Sequence, residues 1–262
     1  ESAWLRQHQT PERPIIVEIR PGTGGLEASL FVADLYRMYT KFAAQHQLTI
    51  EPIQHQPSEV GGMKEVIFAV KGPEAYHRFR FESGVHRVQR VPATEAQGRI
   101  HTSTVTVAVL PEPEAVELPE IPAKDLKIDV YRSSGPGGQG VNTTDSAVRI
   151  HHVPTGLIVT CQDERSQMRN KESAMRVLRA RLVDRMRQDQ EQQVASDRRR
   201  QVGTGERSEK VRTYNFPDRR VTDHRINLTL HKLDAILEGD LTEFVDALIA
   251  DEQSRQLKGQ GG

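Results

Sequence analysis

YRSSGPGGQGVNTTDSAVRIHHVPTGLIVTCQDERSQMRNK, residues 131–171, decides how this chain is read. Four of the six residues from Gly135 to Gly140 are glycine, so this run cannot form the interior of a strand or a helix. Ala147–His152 and Leu157–Cys161 read as strands, and Pro154-Thr155-Gly156 supplies the turn between them. Lys127–Tyr131 adds a strand upstream of the glycines. From about Gln167 the chain is charged and helix-forming as far as Arg200, a span of roughly 50 Å at ~1.5 Å per residue. Gly203-Thr204-Gly205 ends that helix. The result is a small sheet with one long helix, from about Ala123 to Gly205. Its Gly-rich loop, from Ser133 to Gly140, has few side chains with which to bind. It can offer bare backbone N–H groups and one amide, Gln139, to something that approaches closely. On composition alone, a plain flexible loop fits as well.

Upstream, residues 111–122 (PEPEAVELPEIP) hold four prolines and four glutamates, the composition of a linker. Before it, Ile15–Arg20 reads as a strand broken by Pro21-Gly22-Thr23-Gly24-Gly25. A helix follows to about Gln47, with Leu26, Leu30, Phe31, Leu35, Met38 and Phe42 near one face. Strands are expected at Thr49–Gln54, Glu65–Val70, His86–Val91 and Arg99–Leu110, with a short helix at Pro73–Phe79 and a loop at Pro92–Gly98. Val105, Val107 and Val109 alternate with Thr104, Thr106 and Ala108, the period of a half-buried strand. Beyond the long helix, Ile226–Leu230 reads as a strand and Leu241–Ala250 as a helix. The tail LKGQGG reads as disordered. The fold class is α+β. The chain starts at Glu1 rather than Met, which suggests an internal cut and a further N-terminal region.

Net charge over the 262 residues is zero, but it is unevenly spread. Residues 1–120 carry 12 Lys/Arg against 15 Asp/Glu, residues 121–205 carry 15 against 10, and residues 206–262 carry 9 against 11. The basic middle third suits a polyanionic partner or a solvated helix. No apolar run approaches the ~20 residues of a membrane span, and no signal peptide is present. The single Cys161 excludes an internal disulfide, fits a reducing cytoplasm and reads as a buried strand residue.

Gly22-Thr23-Gly24-Gly25 lies between a strand and a helix, where phosphate loops occur, but lacks the Gly-Lys-Ser/Thr ending. It reads as a tight turn before an exposed helix N-terminus, whose free N–H groups can still meet a nucleic acid. The ten histidines include no HExxH pair, and His151 and His152 would point to opposite faces of a strand, so no metal is expected. No Gly-x-Ser-x-Gly elbow marks a serine hydrolase. No cofactor is expected.

Residues 131–171 closely resemble the Gly-Gly-Gln domain of class I peptide chain release factors. Gly137-Gly138-Gln139, Val141-Asn142-Thr143-Thr144-Asp145-Ser146 and Asp163-Glu164-Arg165-Ser166-Gln167 carry the likeness. Pro136 and Gly140 stand where the family often has Ala and His. Glu82–Ser103 resembles the segment that reads stop codons. Within it, Pro92-Ala93-Thr94 matches the Pro-x-Thr motif of factors reading UAA and UAG, where UAA/UGA factors carry Ser-Pro-Phe. Gly203–Arg225 resembles the return strand of the same superdomain.

The resemblance implies a decoding superdomain formed by residues 1–122 and 206–262, and a catalytic domain at 123–205. Linkers near 111–122 and 200–206 would let the catalytic domain swing. It implies hydrolysis of the peptidyl-tRNA ester around Gly137, Gly138 and Gln139, only within the ribosomal peptidyl transferase centre. Gly24 and Glu27 would meet the first-position U, Thr94 the second base, and Gln89 and Thr102 the third. His101 would stack between the second and third bases, and Pro92 and Ala93 complete the motif. Implied partners are rRNA of both ribosomal subunits, the mRNA stop codon, P-site peptidyl-tRNA, a GTPase recycling factor and a methyltransferase that converts Gln139 to N5-methylglutamine. The family's N-terminal helical domain, which contacts the GTPase, has no counterpart in this sequence. A ribosome-rescue hydrolase that reads no codon, and a non-catalytic RNA-binding protein, are the other classes. Intact Pro92-Ala93-Thr94 argues against the first and intact Gly137-Gly138-Gln139 against the second.

Overall fold

The computed structural model describes residues 13–59, 61–93, 95–117, 120–132 and 146–259. Thr94, Gly137, Gly138 and Gln139, and with them the Gly-rich loop, lie outside the described residues. In chain order the elements are β1 (Ile15–Pro21), α1 (Leu26–Gln45), β2 (Thr49–Pro57), β3 (Met63–Lys71), α2 (Ala75–Phe79), β4 (Gly84–Arg90) and β5 (His101–Pro111). Then follow β6 (Leu126–Tyr131), β7 (Ala147–His152), β8 (Leu157–Cys161), α3 (Gln167–Val202), β9 (Lys210–Asn215), β10 (Arg220–Asp223), β11 (Leu228–Leu230), α4 (Leu233–Leu237) and α5 (Thr242–Gly259). The chain divides into two compact units, one of residues 1–112 and 194–262, the other of residues 113–193.

In the first unit, eight strands of the described residues form one sheet in the order β11-β10-β9-β4-β5-β1-β3-β2. Neighbours are antiparallel except β4 and β9, which run parallel. Helix α1 covers one face. Phe31, Leu35, Met38, Tyr39 and Phe42 are fully buried against Val17, Ile19, Val66, Phe68, Val105 and Val107. Burying each large side chain stabilises by about 1.5–3 kcal/mol, so this helix face is a main anchor of the first unit.

Strand β5 is more buried than its alternation suggests. Thr104 and Ala108 are 0% and 1% exposed, because β5 lies between β4 and β1 and its second face is also covered. The Oγ1 of Thr104 accepts from the Thr23 N–H at 2.7 Å and donates to the Gly205 carbonyl at 2.8 Å.

The returning segment is pinned by charges with no solvent exposure. Arg212 donates to Glu82 at 2.6 Å and to Asp223 at 3.2 Å, and Tyr39 donates to Glu82 at 2.9 Å. Arg225 braces Asp223 at 2.7 Å. Nε2 of His86 lies 2.7 Å from the Glu82 carbonyl, which can only accept, so Nε2 carries the proton and Nδ1 accepts from Tyr214 at 3.0 Å. Burial, with the Arg212 charge beside it, pushes the His86 pKa down to about 4. Removing one partner of such a network strands the other charges away from water.

The stretch near 200–206, expected as a loose linker, is tied down. Arg198 donates twice to Glu18, each bond 2.6 Å. The Gln201 side-chain amide meets Val109 as a strand would, accepting from its N–H at 2.7 Å and donating to its carbonyl at 2.9 Å. Thr204 and Gly205 N–H groups both donate to Glu209. The last turns of α3 therefore group with the first unit, and the compact units divide before Val194 rather than after Gly205.

In the second unit β6, β7 and β8 form an antiparallel sheet. Ala174, Leu178 and Leu182 recur every fourth residue along α3 and bury against Val148, Ile150 and Val159. His152 is buried and His151 is not, so the pair does point to opposite faces.

Several local expectations change. Leu26 is 48% exposed, because it opens α1 at the solvent-facing end. Cys161 is half-buried, its strand ending at the sheet margin. The segment 203–225 is a hairpin of β9 and β10, turned at Phe216–Arg219, where Arg219 N–H donates to the Phe216 carbonyl. Only Leu228–Leu230 of the expected last strand forms, and α4 follows it. Residues 257–259 continue α5 instead of fraying.

Candidate functional site

The turn before α1 is laced to the start of β5. Gly22 N–H donates to the Thr104 carbonyl, and Thr104 N–H donates to the Thr23 carbonyl, both at 2.8 Å. Gly24 has φ +129°, and a Cβ there would lie 2.3 Å from Ser103 Oγ and 2.6 Å from Ser103 Cβ. Only glycine lets this turn press on the strand. Gly25 caps α1 with no side-chain bond to the first amides, which leaves helix-start N–H groups for an outside acceptor.

Strand β4 pairs with β5 so that Gln89 faces Thr102 and Arg90 faces His101. The turn thus stands beside the same end of the hairpin, because it bonds two residues further along β5. His101 is about half exposed and sits 2.8 Å from Glu95. Glu95 N–H closes a turn onto the Pro92 carbonyl at 3.1 Å. Pro92 is buried and Ala93 exposed. The third side is the returning segment, where Phe216 N–H donates to the Gln89 carbonyl at 3.0 Å.

Glu27 is 5% exposed. Its carboxylate turns inward to accept from Arg90, which also donates to Asp34 at 2.7 Å. The Arg90 guanidinium lies over Phe31 and Phe216, at 5.6 and 5.1 Å. Any contact of Glu27 with a base therefore falls to its backbone. Arg90 escaped the sequence reading, since a strand-end arginine looks like a solvated charge.

In the second unit, Tyr131 and Ala147 are register partners. In sequence, residues 133–145 fall between these two register partners. Asn170 is fully buried and holds Ser146, donating to the Ser146 carbonyl and the Glu164 carbonyl at 2.7 Å each. It also accepts from Glu164 N–H at 3.0 Å. The Asp163–Gln167 run is thus tied through Asn170 to Ser146, the first described residue after Gly137, Gly138 and Gln139 in the sequence.

The PCRF domain matches residues 2–107 and the RF-1 domain matches residues 114–225. Peptide chain release factor 1 of Carboxydothermus hydrogenoformans is 61% identical over 254 residues, covering 97% of this chain and 71% of that relative. The chain belongs to the peptide chain release factor 1 family. The factor of the same name from Acetivibrio thermocellus is 59% identical over 253 residues, covering 97% of this chain and 70% of that relative. A solved structure, RF2 of Thermus thermophilus, matches with TM-score 0.58 at 40% identity, covering 94% of this chain and 70% of that one. The chain is a translation termination release factor with the α+β architecture of its class. As a release factor, it acts on the ribosome. Codon-independent rescue is not favoured. No helix among the described residues is long and apolar enough to cross a membrane.

Proposed function

We propose that this chain recognises UAA and UAG in the ribosomal A site and promotes hydrolysis of P-site peptidyl-tRNA, in the cytoplasm. Residues 1–122 with 206–262 serve decoding, and 123–205 serve hydrolysis. The convergence of the α1 start and the β4–β5 mouth carries the decoding half. Backbone at Gly24 and Glu27 meets the uracil at position one, using helix-start donors. Thr94 meets the adenine at position two, which His101 stacks upon. Gln89 and Thr102 each donate or accept and so take either purine at position three. Pro92 and Ala93 hold the motif's turn.

For hydrolysis, water attacks the ester carbonyl carbon, the bond to the ribose oxygen breaks, and a proton passes to that oxygen. The Gln139 backbone N–H stabilises charge on the reacting oxygens, an effect of about 3–4 kcal/mol per donor in other enzymes. Gly137 and Gly138 supply a backbone that L side chains would block. The Gln139 side chain shapes the pocket to admit water, and its N5-methylation is the expected modification. A glutamine methyltransferase and a GTPase recycling factor complete the partners.

The test is release of labelled peptide from purified ribosomes, with a stop codon or with a sense codon in the A site. Release at the stop codon alone supports this reading. Equal release with both indicates rescue.

A further inference from the structure

Val148, Ile150 and His152 point to the buried face of the second unit's sheet. Alternation sends Lys127, Asp129 and Tyr131 of β6, and Arg149 and His151 of β7, to the opposite face. Asp129 stands directly across from Arg149, and Lys127 across from His151. The obvious cross-strand ion pair does not form. Among the described residues Arg149 makes no ion pair or side-chain hydrogen bond, and its guanidinium carbon lies 5.5 Å from the centre of the Tyr131 ring. Arg181 and Arg185 behave differently, donating to the carbonyls of Ile158 and Thr155 to hold α3 on the sheet. Arg149 is exposed and does no such work.

We infer that the Tyr131–Arg149 stack is a docking point for an RNA backbone phosphate beside the Gly-Gly-Gln segment. This rests on the reading that residues 133–145 enter an RNA-walled site to reach the ester. Tyr131 and Ala147 are register partners that flank residues 133–145 in sequence, and Arg149 is two residues beyond Ala147 on the same strand. A phosphate met there lies next to the paired residues from which the chain runs on to Gly137, Gly138 and Gln139. Chemistry points the same way. A guanidinium presents planar donors that match phosphate oxygens bidentately, and an aromatic ring under it keeps the plane oriented without using a donor. Lys127 extends the positive face, and Asp129 is the one carboxylate among the described β6 and β7 residues on it.

The experiment compares Arg149→Ala and Arg149→Lys with the unaltered chain in stop-codon-dependent release, between 50 and 200 mM salt, alongside thermal melting. Release per encounter should fall about tenfold for Arg149→Ala. Its log–log salt dependence should become shallower by about one, the signature of one lost phosphate contact. The UAA/UAG ratio and the melting temperature should stay unchanged, because the residue is exposed and belongs to the unit that does not carry the proposed codon-reading residues. Arg149→Lys, which keeps the charge, should keep the salt slope and recover to within about threefold. Full release by Arg149→Ala with the original salt slope would overturn the inference. So would a loss shared equally by Arg149→Lys and accompanied by lower melting, since that marks a structural role. No release by the unaltered chain would instead fail the functional reading beneath it.

Discussion

Arg90, the last residue of β4, donates to Glu27 in the first turn of α1 and so joins two sides of the candidate codon site. Arg90→Gln leaves a carboxylate that is 5% exposed without its cation. The expected cost is about 3–5 kcal/mol of stability, since an orphaned buried charge is worse than no charge. Urea unfolding should show a lower midpoint at an unchanged slope. Combining Arg90→Gln with Glu27→Gln should return a large part of the loss. Simple additivity of the two single changes would show that the contact carries no coupling.

His86 makes stability depend on pH. Its folded pKa of about 4 lies below the ordinary value of 6.5. Between the two values the unfolded chain binds more protons, so stability rises with pH through this window. The contribution is complete above pH 6.5 and is lost as pH falls toward 4. By pH 4.5 the loss should be roughly 2–3 kcal/mol, at about 1.4 kcal/mol per pH unit. Besides burial, the charges of Arg212, the stronger, and Arg225 disfavour its protonation, while Glu82 favours it. Glu82 and Asp223 are held below their ordinary range by the arginines, although burial alone would raise them, so their losses come at lower pH. Replacing His86 with Gln should flatten the stability profile between pH 6.5 and 4.5. An unchanged profile would place the pH response elsewhere.

Local order was legible where the signal was local. The turn residues Pro154-Thr155-Gly156 separate β7 and β8 as expected, and the charged, helix-forming stretch marks the start of α3. What escaped depends on distant partners. The parallel pairing of β4 with β9 joins strands separated by the whole second unit, and no periodicity records that. Nothing in the local sequence marks Arg212 as buried, yet it has no exposed surface and is paired with Glu82 and Asp223. The stretch near 200–206 is expected as a linker, yet Glu18 and Val109 fasten Arg198 and Gln201 just before and within it. For the candidate site, motifs pointed to Pro92, His101 and the helix start. They were silent on Arg90, Asn170 and Arg149, whose roles exist only in three dimensions.

Gln139 separates backbone from side-chain chemistry. Gln139→Ala keeps the N–H and should retain partial release, whereas Gln139→Pro deletes it and should lose nearly all, a difference of about 100-fold or more. Single-turnover release at saturating factor measures both. Equal rates would remove the backbone from the account. The neighbouring change Gly138→Ala should abolish release while leaving ribosome binding nearly intact, and a parallel fall in binding would make the segment an affinity element.

Codon choice tests the central claim most directly. Accepting A and G at position three requires that UGA be rejected at position two. Adenine offers an N6 donor there, while guanine offers an O6 acceptor and an N1 proton. A Thr94 hydroxyl whose hydrogen is committed to a nearby carbonyl accepts from adenine and has nothing to give guanine, a mismatch of about 1–3 kcal/mol before any closure around the codon. The decisive measurement is the release rate of the purified chain on ribosomes programmed with UAA, UAG or UGA, repeated with Thr94→Ala. The account predicts fast release at UAA and UAG, very little at UGA, and a narrower gap for Thr94→Ala. Strong release at UGA by the unaltered chain would contradict it.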